Sequence, residues 1–272
     1  MPEIIKPFTA IGPRKESPSI SLSELYHENT KLHSATALAL GMKPDEKYSA
    51  PEMLAMSKAY KQYPSASRVE LPKGKLSTKN EVLFDDVISS RRSIRKFFGD
   101  ELSLDDLSRV LYQSYGVTGQ VSLPGGGTQY LRSAPSAGAL YPAELYLGVR
   151  RVAGMGQGIY HYNVLNHELE LLIPGDPTDP LHKLCWYQEY ARQASVVILI
   201  SAVFQRTKRK YGERGYRYVL IDVGHMAQNI CLSCTALNLP VLTTCGFFDD
   251  EANELLHLDG VDETMLYVAF VG

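Results

Sequence analysis

Thirteen residues at 206–218, RTKRKYGERGYRY, hold six basic side chains, three tyrosines and one acid. Three kinds of work fit that mixture. Basic side chains interleaved with aromatics can track a single-stranded backbone and stack on its bases. A solvated basic face ahead of a helix has the same composition. The third possibility is acid–base chemistry. A second basic cluster, SRRSIRKF at 90–97, stands where a helical pattern gives way to an extended one. Arg91, Ser93 and Arg95 alternate there, so in extended geometry they share a face. Guanidinium forks beside a hydroxyl are good ligands for a phosphate; a solvated basic turn is the plainer alternative. A third segment, LRSAPSAGALYPAELY at 131–146, is built from small residues. Pro135, Ser136, Ala137 and Gly138 would let backbone N–H and C=O groups come close to a flat ligand, or would serve as a tight connection.

Stepping outward to the elements that must hold these segments, the pattern is mixed helix and strand. Residues 1–20 are polar and proline-rich, an expected arm. SLSELYHENTKLHSATALAL predicts a helix carrying Leu22, Leu25, Leu32 and Ala35. Residues 41–80 hold four prolines and predict an irregular lead-in with one short helix near Met53–Tyr60. EVLFDDVISSRR predicts a helix burying Leu83, Phe84, Val87 and Ile88. LSLDDLSRVLYQSYG predicts another, capped by Ser103, stopped at Gly116, with Leu104, Leu107, Leu111 and Tyr115 inward. VSLPGGGTQY reads as a loop at a site entrance. Strands are predicted at AELYLGVRR, GQGIYHYN and HELELLI, with Asn163–Asn166 turning between the last two. SVVILISAVF is apolar and β-branched throughout, hence a buried central strand. A long helix is predicted from Tyr216 to Leu237 with Val219, Leu220, Val223, Met226, Ala227, Ile230, Cys234 and Leu237 along its buried stripe. PVLTTCGFF and MLYVAFVG close the chain as strands. The layout is α+β, with residues 1–80 as a lead-in and 81–272 as the principal domain.

The bulk numbers narrow the function. A net charge of −2 and a pI near 6.4 give no global attraction for nucleic acid. No window is apolar enough to span a membrane, and the N-terminus lacks a signal pattern. A cytoplasmic protein is the expectation. Four cysteines clustered late in the chain do not make a disulfide framework. Cys231 and Cys234 have metal-like spacing but fall inside the long helix, so core packing is expected and no metal site. The glycines from Gly154 to Gly158 lie between two strands and predict a turn, not a dinucleotide fingerprint. His161 and His225 are expected to be structural, and Asp249, Asp250 and Glu251 to open the last helix.

Taken in order, SRRSIRKF, RSAPSAGALYPAELY, GQGIYHYN, KYGERGYRYVLIDVGHMAQN and CGFFDDEANELLHLDG resemble the nitroreductase-like FMN enzymes. The particular likeness is to their SagB-type azoline dehydrogenase branch and covers most of residues 20–272. The resemblance implies an α+β nitroreductase-like fold: a mostly antiparallel sheet flanked by helices, with one long central helix. It implies FMN shared between the subunits of a homodimer. Arg91, Arg92, Ser93 and Arg95 would take the phosphate and ribityl chain. Pro135, Ser136, Ala137 and Gly138 would lie along the isoalloxazine, with Gly224 and, one turn on, Gln228 near its reactive edge. The branch carries an adjacent Lys-Tyr pair, which here is Lys210-Tyr211. Aromatising an azoline removes a hydride and a proton from neighbouring atoms, so a protein base must accompany the flavin. A lysine neutralised by burial or by Arg206, Lys208, Arg209 and Arg214 could be that base, as could a tyrosinate stabilised by the same cations. The implied substrate is a thiazoline or oxazoline in a peptide or a carrier-bound intermediate, with dioxygen as final acceptor. A cyclodehydratase or assembly-line partner is implied as possible. Two alternatives remain at this point: an NAD(P)H-dependent nitro- or quinone reductase, and a non-catalytic substrate-binding subunit of a peptide-modifying complex.

Overall fold

The computed structural model of the chain describes residues 21–34, 48–72 and 82–272. The expected arm at 1–20, the helical pattern from Ala35 onward and the end of the lead-in at 73–80 lie outside these residues. Helix α1, Leu22–Asn29, buries none of its residues and belongs to a separate unit, residues 1–46. The rest of the described chain forms one compact unit from Lys47 to Gly272.

That unit opens with α2, Ala50–Ser57, begun by a reciprocal capping box between Ser49 and Glu52. Strand β1, Ser67–Glu70, follows, inside the stretch expected to be irregular. Next come α3, Phe84–Ser90, and α4, Leu104–Tyr115. The Ser103 hydroxyl accepts the Asp106 amide at the start of α4, as its sequence predicts. Strands β2, Val117–Ser122, and β3, Thr128–Arg132, form a hairpin. The glycine-rich stretch expected to be a loop is therefore this hairpin's turn, with Gly125, Gly126 and Gly127 all at positive φ. Strands β4, Ala143–Val149, β5, Gly158–Asn163, and β6, Glu168–Pro174, lead to the short helices α5, Thr178–Leu184, and α6, Tyr190–Gln193. Then come β7, Val196–Val203, α7, Phe204–Tyr211, and the long α8, Gly215–Ala236, joined to α7 through a 3-10 turn. The chain ends with β8, Val241–Thr244, α9, Asp249–Leu255, and β9, Glu263–Val271.

The large sheet runs β1-β6-β5-β4-β7-β9-β8, with every pairing antiparallel. This is the predicted nitroreductase-like arrangement. Strand β7, between β4 and β9 in the interior of the sheet, is covered on both faces. Val196, Ile198, Ile200 and Ala202 enter one core, shared with α4 and α8, while Val197 and Leu199 enter the other. A run with no polar alternation is what two-sided burial demands.

Two predicted faces are corrected. On α3 only Val87 is buried; Leu83, Phe84 and Ile88 are 70%, 67% and 47% exposed. On α8, Leu220 leaves the buried stripe and stands exposed with Ile221 and Tyr216. Helical periodicity locates an apolar face correctly in both cases. It does not say whether this chain or another surface covers that face.

Candidate active site

Register brings two of the marked segments together. Ala143, the first residue of β4, pairs with Ala202 near the end of β7. The turn entering β4 and the helix leaving β7 therefore meet at one edge of the sheet. Lys210 and Tyr211 close α7 directly over Gly138. A Cβ at Gly138 would lie 2.8 Å from the Tyr211 hydroxyl and 3.0 Å from Lys210 Nζ. Its φ of +63° is also a left-handed conformation that suits glycine. Gly138→Ala is accordingly expected to displace the pair and to destabilise the fold by roughly 1–2 kcal/mol, measurable as a shift in the urea midpoint.

The turn is held from beneath. Ser136 Oγ donates to Asp222 of α8 at 2.5 Å and accepts the Tyr141 amide at 2.9 Å. Burial pushes the Asp222 carboxyl above its usual range, against the Ser136 hydroxyl and the Ala137 amide, which favour the carboxylate. Asp222 was not among the expected site residues. Its spacing from Val219, Val223 and Met226 places an acid on an otherwise buried stripe, and that signal was readable.

The basic run is helical and partly buried, not a surface loop. Arg206 reaches inward, its guanidinium 2.6 Å from Glu144 of β4 and donating to the Tyr141 carbonyl at 3.2 Å. Glu144 in turn faces His161 Nε2 at 3.1 Å, and His161 Nδ1 faces Glu170 at 2.9 Å. His161 is thus a satisfied structural histidine, as expected; His225 is instead exposed. Lys208 pairs with Glu213 at 2.8 Å. Among the described residues no carboxylate is paired with Lys210, whose ammonium lies 5.0 Å from the Tyr48 ring and 5.4 Å from that of Tyr211. Tyr218 meets Tyr211 edge-on at 4.9 Å. Burial first, then Tyr218, Tyr48 and Asp222, push the Tyr211 phenol up. A phenol raised in this way is protonated at neutral pH.

The phosphate-type segment lies elsewhere. Residues 91–95 run beside β8, with the Ile94 amide on the Val241 carbonyl. Arg92, Ser93 and Arg95 are exposed; the Arg92 guanidinium turns back onto the Ser89 and Arg91 carbonyls. Arg91 is half-buried near Cys231, where its charge opposes the upward push that burial gives the thiol. Arg95 acts similarly on Tyr190. Cys231 and Asp222 are nine residues apart on α8. At 1.5 Å and 100° per residue they are separated by about 13 Å along the helix and about half a turn around it. The arginine segment and the Pro135–Gly138 turn thus sit against opposite faces of one helix. Gly224 and Gln228 lie on the exposed face, and among the described residues nothing comes within 4 Å of where a Gly224 Cβ would be. A mid-helix glycine costs about 1 kcal/mol against alanine, and no contact among the described residues requires it. Cys231 and Cys234 are buried core residues, and among the described residues no cluster of His, Cys, Asp and Glu could hold a metal.

The profile of the nitroreductase family matches residues 88–272. The chain belongs to that family. Over 178 residues it is 36% identical to MJ1384 of Methanocaldococcus jannaschii, which carries the nitroreductase name; the match covers 65% of this chain and 86% of that protein. It is 27% identical to the microcin B17-processing protein McbC of Escherichia coli, over 64% of this chain and 63% of McbC. The trifolitoxin-processing protein TfxB of Rhizobium leguminosarum bv. trifolii is 28% identical over 61% of this chain and 46% of TfxB. Among solved structures, a nitroreductase-type protein of Anabaena variabilis superposes with a TM-score of 0.73 at 28% identity, covering 92% of this chain and 46% of that one. The E. coli microcin synthetase McbBCD complex, with truncated pro-MccB17 bound, shares the fold at a TM-score of 0.56 and 21% identity. The chain therefore spans about half to two thirds of TfxB, McbC and the Anabaena protein. Membership of the nitroreductase family makes it an oxidoreductase by descent. Among the described residues no helix is long and apolar enough to cross a membrane.

Proposed function

We propose that the protein is an FMN-dependent dehydrogenase of the SagB type, which oxidises thiazoline or oxazoline rings in a peptide or carrier-bound intermediate to the aromatic azoles. The observation that carries this reading is the Lys210-Tyr211 pair packed on Gly138. A nitroreductase that takes hydride from NAD(P)H has no need of a protein base at that place; an azoline dehydrogenase does.

When bound, FMN would supply the two-electron hydride acceptor, with dioxygen taking the electrons onward as hydrogen peroxide. Arg91, Arg92, Ser93 and Arg95 have the donors for its phosphate and ribityl chain, and Pro135–Gly138, Gly224 and Gln228 are assigned to its ring. Lys210 is the base that takes the proton from the ring carbon next to the one that loses hydride. Tyr211, a protonated phenol, donates a hydrogen bond to the heterocycle and orients it. Asp222 fixes Ser136 and through it the turn beneath them.

A homodimer fits the same geometry. The arginine segment and the Pro135–Gly138 turn face away from each other across α8, so a second copy would bring complementary halves together. Leu83, Phe84, Ile88, Leu220 and Ile221 offer the apolar surface it would cover. Likeness to McbC and TfxB, and the peptide seen with McbBCD, support a peptide substrate and a cyclodehydratase-type or assembly-line partner.

The first test is the visible spectrum of the purified protein and the cofactor released on denaturation. A flavin spectrum with FMN at about one per chain is expected, followed by anaerobic bleaching on adding a thiazoline peptide. Rapid bleaching by NADPH with turnover of a nitroarene, and none by thiazoline, would replace this reading with the reductase. In the double variant Arg91→Ala/Arg95→Ala, loss of charge-assisted phosphate bonds worth about 1.5–3 kcal/mol each should weaken FMN at least tenfold. Unchanged affinity in a fluorescence titration would remove the arginines from the site.

A further inference from the structure

We infer that Tyr48 and the helix it precedes form a cover over the Lys210-Tyr211 pair, and that the Tyr48 ring is the wall that selects a flat heterocycle. The inference rests on the reading of Lys210 and Tyr211 as the working pair. Three observations carry it.

The first is placement. The Lys210 ammonium is flanked by the Tyr48 ring at 5.0 Å, the Tyr211 ring at 5.4 Å and the open Cα of Gly138. Aromatic faces hold a cation by their quadrupole, and the same faces stack on planar rings. Tyr48 therefore faces Lys210 and can present the same face to an azole.

The second is the seat of the cover. Helix α2 buries only Ser57 and leaves Pro51, Glu52, Leu54 and Ala55 exposed. It rests on the turn of the β2–β3 hairpin through absent side chains. A Cβ at Gly125 would come 2.6 Å from Ala50 Cβ, and one at Gly127 would come 2.7 Å from Leu54 Cδ1. The glycine-rich turn thus reaches the site through α2.

The third is the anchorage. Directly after α2 the chain is fastened to the core. The Arg132 guanidinium donates to the Ala59 carbonyl, and Lys61 Nζ donates to Glu263 at 2.7 Å and to the Tyr146 hydroxyl at 2.8 Å. The Tyr63 amide donates to Glu170 at 3.1 Å. Among the described residues α2 is lightly packed and is hydrogen-bonded to the core on its C-terminal side, so it can pivot there and move Tyr48 toward or away from Lys210.

The test uses the FMN-loaded full chain and the lysine reagent N-hydroxysuccinimide acetate, with acylation of Lys210 measured by peptide mass spectrometry against exposed Lys183. Tyr48→Ala should speed Lys210 labelling about two- to fivefold, the equivalent of a lost exposed cation–π contact. Tyr48→Phe, which keeps the ring, should label at the wild-type rate. Equal rates in wild type and Tyr48→Ala overturn the cover, as does a phenylalanine variant that labels as fast as the alanine variant. In a second arm, 2-methylthiazole-4-carboxamide is added as the probe. It should slow Lys210 labelling in the wild type and not in Tyr48→Ala. Slowing in both overturns Tyr48 as the wall. If the probe protects neither protein while the first arm holds, the cover stands and the azoline reading fails.

Discussion

Lys210→Met is expected to slow anaerobic flavin reduction by a thiazoline peptide about 10²- to 10⁴-fold, the usual contribution of a positioned general base, while the protein stays yellow. Methionine keeps most of the stem that lies against Gly138 and removes only the amine. Because no carboxylate among the described residues is paired with Lys210, its loss leaves no orphaned buried anion, so folding and FMN content should be those of the wild type. Tyr211→Phe keeps the edge contact with Tyr218 and removes the phenolic donor, so a smaller loss is expected. If the two residues act on one ring together, the double variant should be little slower than Lys210→Met alone. Stopped-flow absorbance of the bound flavin reads all three variants directly. A wild-type rate in Lys210→Met would take proton abstraction away from this pair.

How much of this could be read beforehand depends on the kind of information each residue carries. Strand β7 and helix α8 were legible because burial on two faces, or on one helical stripe, writes itself into residue type. The meeting of Lys210 with Gly138 was not readable from spacing, since 72 positions separate them and only the antiparallel register of β4 on β7 joins them. The resemblance to a known family assigned both segments to one site but did not supply that contact. Leu83, Phe84 and Ile88 show the converse: their periodicity was correct, and their exposure reflects a surface that periodicity cannot identify. Tyr48 was hidden for a further reason. It lies in a proline-rich stretch with no pattern of its own, and it acquires a role only from where the β2–β3 turn seats α2. The inward path of Arg206 was hidden too, because a basic run shows no sign of which member has a buried acid waiting for it.

That buried acid gives the largest expected effect on stability. Glu144 is 2% exposed and holds Arg206 on one side and His161 on the other. Burial works to raise its carboxyl, but the Arg206 charge and the His161 hydrogen bond outweigh it and hold Glu144 at about 2. For His161 the outcome is the opposite in sign: burial opposes the charged ring, and Glu144 with Glu170 overrides it, raising its pKa above 6.5. Glu144→Gln removes the anion between two cations and leaves Arg206 without its partner, so a loss of about 3–5 kcal/mol is expected in urea unfolding at pH 7. The pH dependence follows from the two directions. The Glu144 contribution is present above pH 4.5, its ordinary value, and is lost as pH falls toward 2. The His161 contribution is present below pH 6.5 and is lost as pH rises through its raised value. Wild-type stability should therefore fall on both sides of a plateau near pH 5–6, and the variant should show a shallower acid limb. Arg206 also holds the Tyr141 carbonyl and stands one helical turn before Lys210. The variant that survives folding should consequently lose turnover more than it loses FMN, because the helix carrying the base is no longer fixed to the turn beneath it. Equal losses of both would mean that the cluster supports the whole site and does not position Lys210 in particular.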